Sequence, residues 1–262
     1  MPGKIVLSDP TKSIPGSTWK KLSEKKIYFG HQSVGFNIID GIKDVMKEDP
    51  RIKLNIVQTS DPSAFKTPVF AHSAVGENTD PGSKCDDFVK LMEKGIGKSV
   101  DFAFLKFCYV DVTEGTDMQK VFDTYSSTLN LLKEKYPKTT FIHITIPLTS
   151  KQTGIKTFVK NMIKKVIGKT VRSYRDNIKR NEFNEMLMKE YEGKDPIFDL
   201  AKIESTFPDG KRSTVTKEGK SFYSLVPEYT YDGGHLNELG RKMAAQKLLV
   251  LLAKLSEKDE RK

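Results

Sequence analysis

The sequence predicts an α/β domain with a parallel sheet and helices on both of its faces. Three observations carry that expectation. Short apolar runs alternate with stretches of helical spacing along almost the whole chain, the pattern of successive βα units. The run from Asp101 to Phe107 is apolar nearly throughout, as in a strand covered on both faces. The 262 residues are also enough for one core of ordinary size without disulfide or metal staples.

The elements follow in order. Residues up to about Ser17 are rich in Pro, Ser and Lys and read as an extended lead-in, part of an N-terminal segment 1–24. Lys26-Ile27-Tyr28-Phe29 is a short apolar strand ending at Gly30. Residues 34–46 are helical, with Val34, Ile38, Ile42 and Val45 on one side. Residues 53–57 alternate and read as a second strand. Residues 58–81 read as a long loop, because Pro62, Pro68, Gly76 and Pro81 interrupt them. Residues 84–92 form a helix that turns Phe88, Leu91 and Met92 inward. Residues 118–136 form a long helix, and residues 141–146 a buried strand closed by Pro147. Residues 174–191 are helical, residues 197–200 a short strand, and residues 235–255 a final amphipathic helix. One domain thus spans 25–256, with a basic insertion at about 148–173 and a charged tail at 257–262.

Composition narrows the function classes. Hydrophobic residues make up 37%, aromatic 10% and charged 30%, a polar but globular profile. No apolar run reaches the ~18–20 residues of a membrane span. Lys and Arg total 44 against 34 Asp and Glu, a net charge of +10. Between Lys151 and Arg180 stand ten basic residues and one acidic one, Asp176, so +9 of that charge is local. Nucleic acid is therefore not an expected partner. Cys85 and Cys108 are in no CxxC and no zinc-like cluster, and buried free thiols are expected. No apolar signal-like stretch precedes Lys20. The Ser-, Pro- and Lys-rich start still resembles that of a processed exported protein, so export is the leaning and a cytoplasmic home stays open.

Two segments carry candidate chemistry. In Phe29-Gly30-His31-Gln32-Ser33-Val34-Gly35, a serine sits at a glycine-flanked turn between strand and helix. It either caps the helix through its side chain or presents an exposed hydroxyl at a helix N-terminus. In Tyr231-Asp232-Gly233-Gly234-His235-Leu236-Asn237-Glu238-Leu239-Gly240, an Asp and a His stand three apart around two glycines. They are either turn residues or a carboxylate holding an imidazole that can take a proton from serine.

Together these segments resemble the SGNH (GDSL-type) hydrolases, whose last block is Asp-x-x-His at the start of the C-terminal helix. The first block departs from Gly-Asp-Ser, reading His31-Gln32-Ser33. The FGHQSVG form, with KFCYVDV and IFDLAKIES, looks like a bacterial branch of that superfamily, over residues 25–256. The resemblance implies a flavodoxin-like three-layer α/β/α sandwich, with Ser33 as nucleophile, His235 as general base and Asp232 as its orienting acid. It implies an oxyanion hole from the N–H groups of Ser33 and Gly76. The family's third block supplies an asparagine, where Cys108-Tyr109-Val110-Asp111 has valine. Loss of one such donor typically costs ~10²–10³ in rate, and Asn78 is the candidate replacement. Asp111 is expected to hold neighbouring loops through backbone hydrogen bonds. His31, Gln32 and Tyr109 are candidate substrate contacts. His72 reads as a surface histidine and His143 as a core one. Lys106, inside an apolar strand, needs a partner, with Asp101 and Asp111 as candidates.

The expected function is a serine esterase working through an acyl-enzyme on a small-molecule or glycan ester, with no metal or organic cofactor. Acyl transfer by the same triad and a non-catalytic glycan- or polyanion-binding domain are the alternatives. In the basic insertion, Phe158, Met162, Ile163 and Val166 share a helical face between Lys156 and Lys169. The segment reads as a docked surface helix, a cap on the cleft, or a contact for membrane or polyanion.

Overall fold

The computed structural model describes residues 9–151 and 174–258. The apolar part of the basic insertion, from Phe158 to Val166, lies outside the described residues.

Five parallel strands form the main sheet: β1 (Lys26–His31), β2 (Ile56–Gln58), β3 (Val69–Ala74), β4 (Phe102–Leu105) and β5 (Thr140–Phe141), in the order β2-β3-β1-β4-β5. One residue after β5 the chain turns its bonds outward, and β6 (His143–Ile144) pairs in parallel with β7 (Ile197–Phe198). Among the described residues seven α-helices cover the sheet: α1 (Gly16–Ser23), α2 (Val34–Glu48), α3 (Pro81–Leu91), α4 (Met118–Lys135), α5 (Asn177–Tyr191), α6 (Leu200–Glu204) and α7 (Glu238–Lys258). Helices α1, α2 and α7 pack together on one face, and α3, α4 and α5 lie on the other. The strands divide their side chains accordingly. Ile27, Phe29, Phe102 and Phe104 enter the core under α2 and α7, while Tyr28, Ala103 and Leu105 enter the core under α3 to α5. The expected three-layer α/β/α sandwich with a parallel sheet is what the chain adopts.

Several local expectations are corrected. The lead-in is not extended: Pro10–Ser13 is a 3-10 turn and Gly16–Ser23 is α-helix. Trp19 and Leu22 are buried against α7, and that burial outweighs the turn-forming composition of the segment. The 58–81 loop contains β3, in the interior of the sheet between β2 and β1. Val69, Phe70, Ala71 and His72 are all buried, so β3 lacks the alternation that marks a half-exposed strand. A structureless stretch of that length is itself unusual in a compact domain. His235 precedes the last helix, which begins at Glu238 after Asn237 Oδ1 accepts the Gly240 N–H at 3.0 Å. A hairpin of β8 (Thr214–Lys217) and β9 (Lys220–Tyr223) is additional to the expected elements.

Helices α2 and α7 touch closely at Gly41, where an added Cβ would lie 2.3 Å from the Arg241 carbonyl oxygen. Backbone cannot yield there as a side-chain tip would. Gly41→Ala is expected to destabilise the fold by about 1–3 kcal/mol, read as a lower urea midpoint with an unchanged slope.

Candidate active site

Parallel pairing in register brings three strand ends to one level. His31 of β1 lies opposite Ala74 of β3, and Gly30 opposite Leu105 of β4. The segments that follow, 32–34, 75–79 and 106–111, therefore gather at the carboxyl edge of the sheet, where open α/β folds bind ligands. The turn before α7 joins them: Leu236 N–H donates to Asn37 Oδ1 of α2 at 3.1 Å.

Ser33 stands immediately before α2, yet its side chain caps no backbone N–H. Its backbone is left-handed, with φ +52° and ψ −112°, a conformation a non-glycine residue holds only under constraint. The hydroxyl lies 2.8 Å from His235 Nε2. His235 Nδ1 in turn lies 2.8 Å from Asp232 Oδ2. Asp232 Oδ1 accepts the N–H groups of Gly234 at 3.0 Å and His235 at 2.8 Å, so one carboxylate fixes both the turn and the imidazole. Thr230 Oγ1 closes the turn, donating to the His235 carbonyl at 2.6 Å and accepting from Gly233 N–H at 2.9 Å. The two glycines have distinct reasons. Gly233 has φ +90°, and a Cβ on Gly234 would lie 2.8 Å from the Tyr109 ring.

Tyr109 is buried edge-on against His235, its hydroxyl 3.5 Å from Nδ1 and 3.4 Å from Nε2. It borders the triad by touching the base. Buried Arg180 holds the Tyr109 carbonyl through Nε at 2.9 Å, and burial lowers the Arg180 pKa to about 10. Tyr231, 67% exposed, lies with its ring nearly parallel to that of His235 at 6.1 Å.

The other expected site residues divide. Gly76 N–H donates to Asp87 Oδ2 at 2.9 Å, so it is not free to meet an oxyanion; a nearby carboxylate captures it. Gln32 Nε2 donates to the carbonyls of Val75 at 3.0 Å and Gly76 at 2.5 Å, fastening that turn to the segment that carries Ser33. His31 is not a substrate contact. It is fully buried, its ring fills the space a Cβ on Gly35 would need, and its Nε2 lies 3.1 Å from His72 Nδ1. His72 is buried within β3 rather than on the surface. Burial, with the Lys106 charge nearby, lowers the His31 pKa to about 2, and burial lowers that of His72 to about 4. His143 is a core histidine bonded to the Tyr125 hydroxyl at 2.8 Å. Lys106 donates to the Phe107 carbonyl at 3.0 Å and contacts Cys108 Sγ at 3.4 Å. Neither expected aspartate serves it: Asp101 accepts the Lys26 N–H at 2.7 Å, and Asp111 is paired elsewhere.

That pairing involves a residue the sequence reading missed. Lys84 Nζ lies 2.5 Å from Asp111 Oδ2, with both side chains fully buried, and 3.1 Å from Asn78 Oδ1. Asp111 also accepts the N–H groups of Cys108 at 2.6 Å and Thr79 at 2.9 Å. Lys84 stands four residues before Phe88 on the buried face of α3, and that spacing was the available signal. Among the described residues no three His, Cys, Asp or Glu side chains converge to hold a metal ion.

No protein-family model matches the sequence, and no curated protein matches it. Solved structures do resemble it. A chain from Streptococcus pneumonia, described provisionally as a platelet activating factor, superposes with a TM-score of 0.51 at 15% identity, over 90% of each chain. A chain from Parabacteroides merdae, described provisionally as a GDSL-like lipase, gives 0.49 at 12% identity, over 88% of this chain and 98% of that one. The periplasmic domain of a Salmonella ser. Paratyphi A lipopolysaccharide acetyltransferase gives 0.47 at 15%, over 86% and 83%. Only the first of these three exceeds 0.5, and at its identity the likeness establishes a shared fold and no activity.

The buried histidines make stability depend on pH. Folding lowers their pKa values, so the unfolded chain takes up the protons first. Their contribution is whole above about pH 6.5 and falls as pH drops towards about 4 for His72 and lower still for His31. Urea unfolding between pH 7 and 4 should show this loss. It should be smaller in His72→Gln, and an equal slope would exclude His72 as a source.

Proposed function

We propose that the chain is a serine ester hydrolase of the SGNH (GDSL-type) kind, with Ser33, His235 and Asp232 as its triad. The observation that carries this reading is the unbroken chain of contacts from Ser33 Oγ through His235 to Asp232, each link 2.8 Å, with the serine held left-handed. A serine and an imidazole that met by accident would not need that backbone conformation.

The steps follow from the atoms. Ser33 Oγ attacks the acyl carbon as its proton passes to His235 Nε2, and Asp232 stabilises the imidazolium through Nδ1. The carbonyl π-pair moves to oxygen. The oxyanion is met by the Ser33 N–H at the N-terminus of the 15-residue helix α2 and by the Asn78 side-chain amide, which stands in for the absent third-block asparagine. Gly76 is left out of this set, since Asp87 holds its N–H. His235 then gives its proton to the leaving alcohol. Water attacks the acyl-enzyme with His235 again as base, and Ser33 is released. Tyr109 keeps the imidazole in place, and the exposed ring of Tyr231 offers an apolar face to a small-molecule or glycan ester beside it. An alcohol acceptor in place of water makes the same acyl-enzyme a transferase.

A fluorophosphonate probe should label the wild type and neither Ser33→Ala nor His235→Ala. Asp232→Asn should lower kcat on an activated acetyl ester by roughly 10⁴. No labelling of folded wild type would remove the esterase reading, and acceleration of ester consumption by added alcohol, with a new ester as product, would turn it to transfer.

A further inference from the structure

The buried Lys84–Asp111 pair joins two of the loops at the carboxyl edge of the sheet, 75–79 and 106–111. Each polar atom it offers is aimed at one of those loops. Asp111 Oδ1 accepts the Thr79 N–H at 2.9 Å, and Oδ2 accepts the Cys108 N–H at 2.6 Å. Lys84 Nζ reaches Asp111 at 2.5 Å and Asn78 Oδ1 at 3.1 Å. Thr79, beside Asn78, is itself left-handed at φ +74°. Buried ion pairs contribute little net stability, since desolvation offsets their attraction. A pair that bridges two loops and holds a strained residue serves geometry better than stability.

The orientation of Asn78 follows from the chemistry of its partner. An ammonium donates and never accepts, so the oxygen of the Asn78 amide must face Lys84 and the NH₂ must face away. Asn78 is exposed, and Gln32 fastens the turn just before it to the Ser33 segment. We infer that Lys84 is a positioning residue for this reaction. Anchored by Asp111, it fixes the side-chain amide of Asn78 so that the NH₂ faces the developing oxyanion, a task the third block, with Val110, cannot perform. The inference rests on the esterase reading above and adds a residue that reading does not need.

A double-mutant cycle on kcat tests it. Asn78→Ala should lower kcat by ~10²–10³ with KM little changed. Lys84→Met should lower kcat by about the same factor. Lys84→Met added to Asn78→Ala should cost nothing more, because the amide it positions is already gone. Losses that multiply would make Lys84 a general support and overturn the proposal. If Lys84→Met does not fold, Lys84→Met with Asp111→Asn removes both charges and enters the cycle in its place. As a second measurement, Asn78→Asp keeps an acceptor for Lys84 but no donor, so its Tm should exceed that of Asn78→Ala while its kcat stays low. An equal or lower Tm would deny the contact. Fluorophosphonate labelling of wild type separates the two levels: a labelled serine with multiplicative losses removes Lys84 alone, and an unlabelled one removes the esterase reading and this proposal with it.

Discussion

Every feature of the site depends on β1 being hydrogen-bonded along both edges. Its residues pair with β3 on one side and β4 on the other, and Ile27, Tyr28 and Phe29 are fully buried. A buried strand must pair its backbone groups. A slip of one residue would send Ile27 and Phe29 into the core that takes Tyr28. The register is therefore set by packing on two faces at once. That register makes three strands end level, so the position of Ser33 is a consequence of the core beneath it.

Above that edge the loops are held by polar contacts, several to backbone atoms. Gln32 grips the turn at Val75 and Gly76, Asp232 grips the turn at Gly234 and His235, and Asp111 grips Thr79 and Cys108. Two of these places carry left-handed non-glycine residues, Ser33 and Thr79. Such residues cost on the order of 1–3 kcal/mol each and persist where their surroundings over-determine them. Near them a carboxylate takes the Gly76 N–H, and a buried lysine holds the side chain of Asn78.

What the sequence made legible was whatever depends on near neighbours in the chain. Helical spacing placed α2, α4 and α5 within a few residues. Asp232 and His235 stand three apart, so their contact needs only a turn, and the glycines between them announce one. Residues 58–81 misled for the opposite reason. Prolines are local breakers, but β3 is made by neighbours on both of its edges, and a strand buried on both faces shows no alternation. His72 was misplaced along with it. Lys84 sat on the apolar side of its helix, and a charge on that side marks a buried partner that only the fold can name.

By itself the sequence determined the alternation of strand and helix, hence the fold class, and the local Asp–His turn, because both follow from periodicity and short-range geometry. Only the tertiary structure decided that Ser33 meets His235, 202 residues further along the chain. It also decided which polar partner each group finds. Gly76 N–H goes to Asp87, Lys84 to Asp111 and Asn78, and His31 to His72. A buried polar group takes whichever partner packing brings within reach, and reach across the core is not written in the order of residues.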